Sequence, residues 1–323
     1  MLKLSILLST YNGQKYVRQQ IESILCQNFR DFQLIIRDDG SSDDTVSIIK
    51  SFCDPRVILV EDVFGNLGPT GSFVELLKRV ESDIYMFCDQ DDIWLEDKVE
   101  LVHKKFQDIY RDNVFEPILM HSDLLLVDDK LNSMGLTFNQ HENVKLPNDY
   151  SLGKLLVQNC VVGCTVAVNK ALVERSKICF VDPKRLAMHD WWLALAASRF
   201  GKIFCLESVS ILYRQHGGNV SGLSQKGRTF RRIKSIFNGN GLNRVEKYCQ
   251  RISKQSAEFL GAFRSQLSDS EVQKIYLLIS GYSISSVFSL IKCFLLGIRF
   301  GKFYMNFAVL LCYFVSNRGR HES

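Results

Sequence analysis

Apolar and polar positions follow two alternating periods over the first hundred residues. Leu4–Ser9 is a continuous apolar run, and Tyr16–Cys26 then sets Val17, Ile21, Ile24 and Leu25 on one helical face. Gln33–Arg37 returns to a short apolar run, Thr45–Phe52 repeats the helical spacing, and Val57–Val60 is a third strand. Gly71–Val80, with Phe73, Leu76, Leu77 and Val80, is helical, and Ile84–Cys88 is a fourth strand. Strands alternating with helices of this length predict βαβ units and an α/β fold with a mostly parallel sheet. Such strands are covered on both faces, which accounts for their near-continuous apolar character.

Beyond Trp94 the pattern loosens. Lys98–Tyr110 is predicted helical, Ile118–Val127 extended, Leu152–Val157 helical, Val161–Val168 strand-like, and Asp190–Phe200 helical. Lys202–Leu206 and Ser210–Arg214 are predicted as two short strands. Asn132–Asp149 is polar without a clear period and is expected to be a mobile loop over a site. Lys226–Ser323 reads as helical, basic and hydrophobic.

In open sheets of this kind ligands bind beyond the carboxyl ends of the strands. Three polar segments fall there: Thr10-Tyr11-Asn12-Gly13, Asp38-Asp39-Gly40-Ser41-Ser42-Asp43 and Asp89-Gln90-Asp91-Asp92. The last crowds three carboxylates into four residues, which is costly unless a cation or strong donors compensate. It suits a hard divalent metal whose other ligand is a phosphate, or it is an acidic turn capping the next helix. A carboxylate in the second segment can accept the imide N–H of uracil or thymine, or it forms an Asx-turn closed by Gly40. A receiver-domain phospho-acceptor would also use an acidic strand end, but receivers are far shorter and need a strand-end lysine that this sequence does not supply.

Two later segments carry chemistry. In Met188-His189-Asp190-Trp191-Trp192, Asp190 is either an N-cap or a general base beside two indoles on which a sugar could stack. Tyr213-Arg214-Gln215-His216-Gly217-Gly218-Asn219 is either a turn with a surface Arg or a loop over a diphosphate. In the second case His216 would complete a metal shell.

Composition narrows the setting. At 323 residues and 46% hydrophobic the chain can bury one large or two ordinary domains. Net charge is +5, yet residues 226–323 hold 16 Lys+Arg against 5 Asp+Glu, +11, which leaves −6 for residues 1–225. The basic part points to an anionic partner, membrane surface or nucleic acid. Ten cysteines without a CxxC pair or zinc-ligand spacing favour a reducing, cytosolic compartment. The apolar start lacks a small-residue cleavage site and reads as a buried strand rather than a secretory signal. Ile275–Val315 is interrupted by Lys292, Arg299 and Lys302, short of the roughly 18–20 apolar residues a spanning helix needs. Interfacial helices are expected there, with a helical hairpin packed on the core as the alternative.

Taken together, these segments resemble the inverting GT-A glycosyltransferases of family 2 over roughly residues 1–220. The pieces stand in family order: Ser9-Thr10-Tyr11-Asn12-Gly13, Ser23-Ile24-Leu25-Cys26-Gln27, Asp38 to Thr45, Asn66-Leu67-Gly68, Asp89-Gln90-Asp91-Asp92 and His189-Asp190. Cys88 to Trp94, Asn159 to Thr165, His189 to Trp192 and Tyr213 to Gly217 look most like the rhamnosyltransferase-like group of bacterial surface polysaccharide (O-antigen, capsule) synthesis.

The resemblance implies a GT-A fold, a Rossmann-like, mostly parallel sheet flanked by helices, with a C-terminal helical region. Residues 1–94 would form the nucleotide-sugar half and 95–225 the acceptor half, followed by a basic helical region at 226–323. It implies donor contacts from Thr10, Tyr11, Asn12, Asp39, Asn66, Asp89 and Arg214, and a divalent cation (Mg²⁺ or Mn²⁺) on Asp91 and His216. Asp190 falls on the catalytic base, with His189, Trp191 and Trp192 on the acceptor side. The implied donor is a dTDP- or UDP-sugar, best dTDP-L-rhamnose, and the acceptor a glycan or polyprenyl-linked sugar. No nucleic acid is implied. The implied place is the bacterial cytoplasm, peripheral at the inner face of the membrane.

Two positions depart from the family's usual pattern: His189 stands where many members have Glu, and Thr70-Gly71-Ser72 where many carry an Arg-Asn pair. The rivals are a UDP-glucosyl or galactosyl transferase of the same fold, a non-catalytic nucleotide- or glycan-binding module, and a nucleotidyltransferase. The last would need a Gly-rich phosphate loop, of which Asn12-Gly13-Gln14-Lys15 is a poor version.

Overall fold

The computed structural model describes residues 2–111, 116–142, 149–216 and 239–280. Of the expected features, the Gly217-Gly218-Asn219 turn, residues 143–148, and the apolar stretch beyond residue 280 lie outside these.

The alternating first half folds as its periods predict. Strands β1 (Leu4–Thr10), β2 (Gln33–Asp38), β3 (Val57–Val60) and β4 (Ile84–Cys88) alternate with helices α1 (Val17–Leu25), α2 (Thr45–Lys50) and α3 (Gly68–Arg79). The strands pair in parallel, β1 lying between β2 and β4, with β3 outside β2. Every residue of β4 is buried, as a parallel strand covered on both faces requires. The helices bury one stripe each, Val17, Gln20, Ile21 and Ile24 in α1 and Phe73, Val74, Leu76 and Leu77 in α3.

The second half mixes directions. The order runs β3-β2-β1-β4-β8-β6-β9-β5, with β5 Ile93–Trp94, β6 Ile118–Val127, β8 Ala167–Asn169 and β9 Lys202–Arg214. β8 is antiparallel to β4 and β6, whereas β6 and β9 are parallel. Three differences from the sequence reading have local causes. The two short strands expected after residue 200 are one strand, β9, whose irregular register between Leu206 and Val209 breaks the pattern. The strand-like run from Val161 contains a 3-10 turn at Gly163–Thr165 before β8. Within the expected loop, Ser133–Thr137 forms β7 against β6, and Phe138–Glu142 forms the short helix α5. These are short, exposed elements that hydrophobic period cannot reveal.

Four further helices are α4 (Lys98–Arg111), α6 (Leu152–Leu155), α7 (Lys170–Ser176) and α8 (His189–Phe200). α8 is buried without a break from His189 to Ala197, so it is a central helix rather than an amphipathic one.

The chain divides into two units. The first comprises Met1–Asn148, Cys160–Pro183 and Met188–Gly222 and holds the whole sheet; the second comprises Asp149–Asn159, Lys184–Ala187 and Leu223–Ser323. In the second, α9 (Gly239–Phe263) and α10 (Asp269–Ser280) bury Val245, Cys249, Ile252, Phe259 and Phe263 with Ile275 and Leu278. Tyr248 Oη donates to the Val157 carbonyl at 2.8 Å, and Gln255 Oε1 accepts from the Ala187 N–H at 2.9 Å.

One buried ion-pair cluster fixes the amino-terminal half. Arg37, on β2, is fully buried and donates to Asp62 Oδ2 (2.7 Å), Asp39 Oδ1 (2.5 Å) and Ser72 Oγ (3.1 Å). It thereby ties β2 to the β3–α3 connection and to α3. Replacing Arg37 with Met strands two carboxylates that are themselves almost fully enclosed. Breaking a buried pair in this way costs about 3–5 kcal/mol. A loss of that size is expected in the urea midpoint of Arg37→Met, with Asp62→Asn milder because one partner carboxylate of Arg37 remains.

Candidate active site

The ends of β1, β2 and β4 meet because their loops are bonded to one another. Thr10 Oγ1 donates to Asp38 Oδ1 at 2.9 Å, and the Asp39 N–H donates to the Thr10 carbonyl at 2.7 Å. Asn12 takes a left-handed φ of 47°, which Asn tolerates. Its N–H donates to Ser41 Oγ (2.8 Å), while its Oδ1 accepts from the Ser42 N–H (2.9 Å). Gln90 clasps the backbone of Tyr11 with both amide atoms, accepting at 2.8 Å and donating at 2.9 Å. Gly13 is needed beside that clasp, since a β-carbon there would sit 2.2 Å from Gln90 Oε1. Tyr11 is left 49% exposed, and Asn66 is exposed with its backbone N beside Gly40.

Asp39 has a second task. It is buried, and besides Arg37 it accepts the N–H groups of Leu67 and Gly68 at 2.8 Å each, where α3 begins. A carboxylate at a helix start is favoured by the unpaired N–H groups and the dipole. In the described bonds Oδ1 accepts twice and Oδ2 once, which leaves one acceptor direction on Oδ2.

The acidic segment after β4 splits into three environments. Asp91 Oδ2 lies 2.7 Å from His216 Nε2, and the His216 ring stacks on Tyr16 with centroids 4.9 Å apart. Asp92 is fully buried; its Oδ1 accepts the Arg214 N–H at 3.2 Å and its Oδ2 has no partner among the described residues. Asp89 keeps some surface yet is surrounded by protein. Burial first, then the charges of Asp91 and Asp190, push its carboxyl up to about 7. Burial likewise holds the Asp92 carboxyl well above the ordinary range. The nearby cation Lys98 is buried, donates to Ser210 Oγ at 3.3 Å, and is pushed down to about 8, chiefly by burial.

This donor set fits a divalent cation. Ligand atoms of Asp89, Asp92 and Cys164 lie within 4.8 Å of one another, and Asp92 presents an unpartnered buried oxygen. Asp91 and His216, singled out from the sequence, form a second oxygen–nitrogen pair on the same segment.

Arg214 is a brace. Its Nε donates to the Asp91 carbonyl (2.9 Å), Nη1 to the Asp129 carbonyl (2.7 Å) and Nη2 to Gln19 Oε1 (2.8 Å), and its guanidinium lies 4.7 Å from the Tyr16 ring centroid. A planar fork with five donors is well suited to locking two loops and helix α1 at once.

Asp190 enters from α8. It is buried in the first turn, and Oδ1 accepts the Trp191 N–H at 2.6 Å. Its charge contributes to the raised Asp89 carboxyl. The indoles are placed otherwise than a sugar platform requires: Trp191 is buried, and Trp192 is fully enclosed with Nε1 donating to the Ser176 carbonyl at 2.9 Å. Burial rather than a ligand accounts for their apolar area. His189 is 2% exposed between Phe73 and Phe87, at 4.3 and 5.0 Å between centroids, and burial holds its imidazole down to about 3. Sequence reasoning missed Gln90, Tyr16, Lys98 and Cys164 as parts of this site. Gln90 alone carried a signal, as the polar residue between two acids at a strand end.

Known proteins resemble this chain in sequence and in fold. The sequence model described as "Glycosyl transferase family 2" matches residues 5–170. A dTDP-rhamnosyl transferase of Shigella flexneri, RfbG, is 27% identical over 76% of this chain and 82% of its own. An Escherichia coli UDP-Glc:alpha-D-GlcNAc-diphosphoundecaprenol beta-1,3-glucosyltransferase, WfgD, is 26% identical over 67% of this chain and 79% of its own. Against an uncharacterized glycosyltransferase of Nostoc, 25% identical, the chain spans just under two thirds (66%) of that relative's length. Among solved structures, S. aureus TarS in complex with UDP-GlcNAc shares the fold, with a TM-score of 0.57, 16% identity, and 99% of this chain and 92% of that chain covered.

Two buried histidines weaken the fold in acid. His189 (about 3) and His121 (about 4) are buried and held below the ordinary 6.5, so the unfolded chain binds more protons between those values. Stability therefore rises with pH across that window and is lost as pH falls through it. Each pKa unit is worth about 1.4 kcal/mol, so His189 alone withdraws on the order of 4 kcal/mol by pH 3. His189→Phe is expected to shift the acid-unfolding midpoint to lower pH, followed by circular dichroism.

Proposed function

The chain belongs to glycosyl transferase family 2, and from that premise we propose that it is a glycosyltransferase that moves a sugar from a nucleoside diphosphate to a glycan or lipid-linked acceptor with inversion. The observation that carries the reading is the edge where three cross-bonded strand ends meet, with the buried Asp190 carboxylate on the first turn of α8 near enough to raise the Asp89 carboxyl. Asp190 takes the proton of an acceptor hydroxyl as its oxygen attacks the anomeric carbon. The new C–O bond forms opposite the breaking one, whose electron pair leaves with the nucleoside diphosphate. Tyr11 and Asn12 flank the base and ribose, Thr10 and Asp39 fix those loops from behind, and Asn66 closes the same edge. A Mg²⁺ or Mn²⁺ ion held by Asp91 and His216, with Asp89 beside them, would offset the charge of the leaving diphosphate.

The donor we favour is dTDP-L-rhamnose, on the strength of the Shigella flexneri relative. The E. coli glucosyltransferase supports UDP-glucose as the second reading, and its printed acceptor supports a polyprenyl-diphosphate-linked sugar. Residues 1–225 would be the catalytic part. The basic residues 226–323 would dock on an anionic cytoplasmic leaflet, where such an acceptor resides. Among the described residues no helix is long and apolar enough to cross a membrane.

A hydrolysis screen of dTDP-rhamnose, UDP-glucose and UDP-galactose with Mn²⁺ or Mg²⁺ is expected to select the first; turnover of none would sink the proposal. Asp190→Asn should keep nucleotide affinity while losing about 10²–10⁴-fold in turnover, the usual worth of a general base; wild-type rate would remove Asp190 from that role. Asp91→Ala should abolish the difference between nucleotide titrations with and without Mn²⁺, read by calorimetry.

A further inference from the structure

His216 lies just past the support of a strand. It follows Arg214, the last residue of β9, by two positions and is partly buried. The outer torsion of a histidine is broad and roughly twofold, so the backbone alone does not decide where its nitrogens face. A flat surface against the ring is what keeps Nε2 at 2.7 Å from Asp91 Oδ2. Tyr16 is that surface. Its ring stacks on the imidazole with centroids 4.9 Å apart and planes 28° from parallel.

The Tyr16 ring is itself held by its neighbours. Tyr16 stands immediately before α1, where its N–H donates to the Gly13 carbonyl at 3.0 Å. Its hydroxyl donates to Asp129 Oδ1, and that carboxylate also accepts from Lys15 Nζ at 2.8 and 3.0 Å. The Arg214 guanidinium lies 4.7 Å from the ring centroid. Asp129 belongs to the turn between β6 and β7, which Asp128 Oδ1 closes by accepting the N–H groups of Lys130 and Asn132 at 2.9 and 2.8 Å. The contacts return to where they start. Asp91 meets His216, His216 meets Tyr16, and Tyr16 meets Asp129. The Asp129 carbonyl accepts from Arg214 at 2.7 Å, and Arg214 donates to the Asp91 carbonyl at 2.9 Å. Tyr16 is only partly buried, so filling the core does not account for this set of contacts.

We propose that Tyr16 is a positioning residue for the divalent cation, its ring setting the His216 imidazole so that Nε2 and Asp91 Oδ2 are presented to the ion together. The inference rests on the reading of Asp91 and His216 as metal ligands and deepens it to the residue that orients one of them. Groups that orient a ligating histidine are commonly worth about 10- to 100-fold in metal affinity. An aromatic ring does this without adding charge to a segment already rich in carboxylates.

The test follows Mn²⁺ binding to the full chain by calorimetry with UDP or dTDP present, and binding of each nucleotide without metal. Tyr16→Leu keeps apolar bulk but has no flat face, and is expected to weaken Mn²⁺ about 10-fold. Its nucleotide binding without metal and its circular dichroism should match wild type. Tyr16→Phe keeps the ring and should recover most of the loss. In a His216→Ala background Tyr16→Leu should add less than about twofold, because the group through which it acts is gone. The inference is overturned if Tyr16→Leu binds Mn²⁺ like wild type, or if its loss persists in full in the His216→Ala background. It is also overturned if Tyr16→Phe loses as much as Tyr16→Leu, which would put the effect in the hydroxyl, or if metal-free nucleotide binding falls in parallel. A wild-type protein whose nucleotide binding ignores Mn²⁺, or a His216→Ala protein that binds Mn²⁺ like wild type, overturns the proposed metal ligands together with this inference. A metal-dependent wild type weakened by His216→Ala but matched by Tyr16→Leu overturns this inference alone.

Discussion

Mutual repulsion of carboxylates gathered at one sheet edge is the constraint around which the first unit is organised. Asp89, Asp91 and Asp92 leave β4 together, and α8 adds Asp190 to the same space. Carboxylates at this spacing, partly stripped of water, raise one another's proton affinity. The fold relieves only part of this. His216 answers Asp91, the Arg214 N–H answers one oxygen of Asp92, and Lys98 approaches from below with its own charge weakened by burial. What is left over is an excess of negative charge in a confined place, the condition in which a divalent cation binds and in which its removal is felt.

Holding such a cluster in register requires stiff supports, and the polar side chains that provide them do not touch it as charges. Arg214 donates from its fork to the Asp91 and Asp129 carbonyls and to Gln19, and so ties two loops to α1. Gln90 spends both amide atoms on the Tyr11 backbone. Arg37 does pair with carboxylates, but with Asp39 and Asp62, two that the fold has taken out of the site's open space. Asp39 in turn caps α3. The base-binding edge and the metal edge are therefore braced by separate polar networks joined through the β1 and β2 ends.

Much of this was legible in the residues. Period alone gave the four parallel strands and their helices, because each strand is buried on both faces and each helix on one. The convergence of three polar strand ends followed from the sheet's direction. What failed had physical reasons. β7 and α5 are short and exposed, so they leave no period. β9 is one strand that a register shift disguises as two. The Trp191-Trp192 pair looked like a sugar platform because a sequence shows apolar area but not which way a helix is turned; α8 is enclosed all round, and Trp192 bonds Ser176 instead. Lys98 and Cys164 could not be found because nothing in a sequence marks a lysine or cysteine that a fold will bury beside distant acids.

Enclosure of α8 leaves both nitrogens of His189 without a partner among the described residues. Asp92 Oδ2 is orphaned too, at the acidic end of β4, and others such as Ser5 Oγ, Arg56 Nη1 and His103 Nε2 lie elsewhere. A chain selected for stability alone would replace them with apolar groups of similar shape, since a buried polar atom without a bond is a net loss. Asp92 Oδ2, left open at the acidic strand end, and Arg37, bonded to two carboxylates and Ser72, separate two kinds of buried polarity. One kind is satisfied within the fold and builds the scaffold; the other is left unsatisfied by it and is completed by what binds. Asp92 belongs to the second kind, because its orphaned oxygen lies with Asp89 and Cys164 in a group whose ligand atoms could hold a cation.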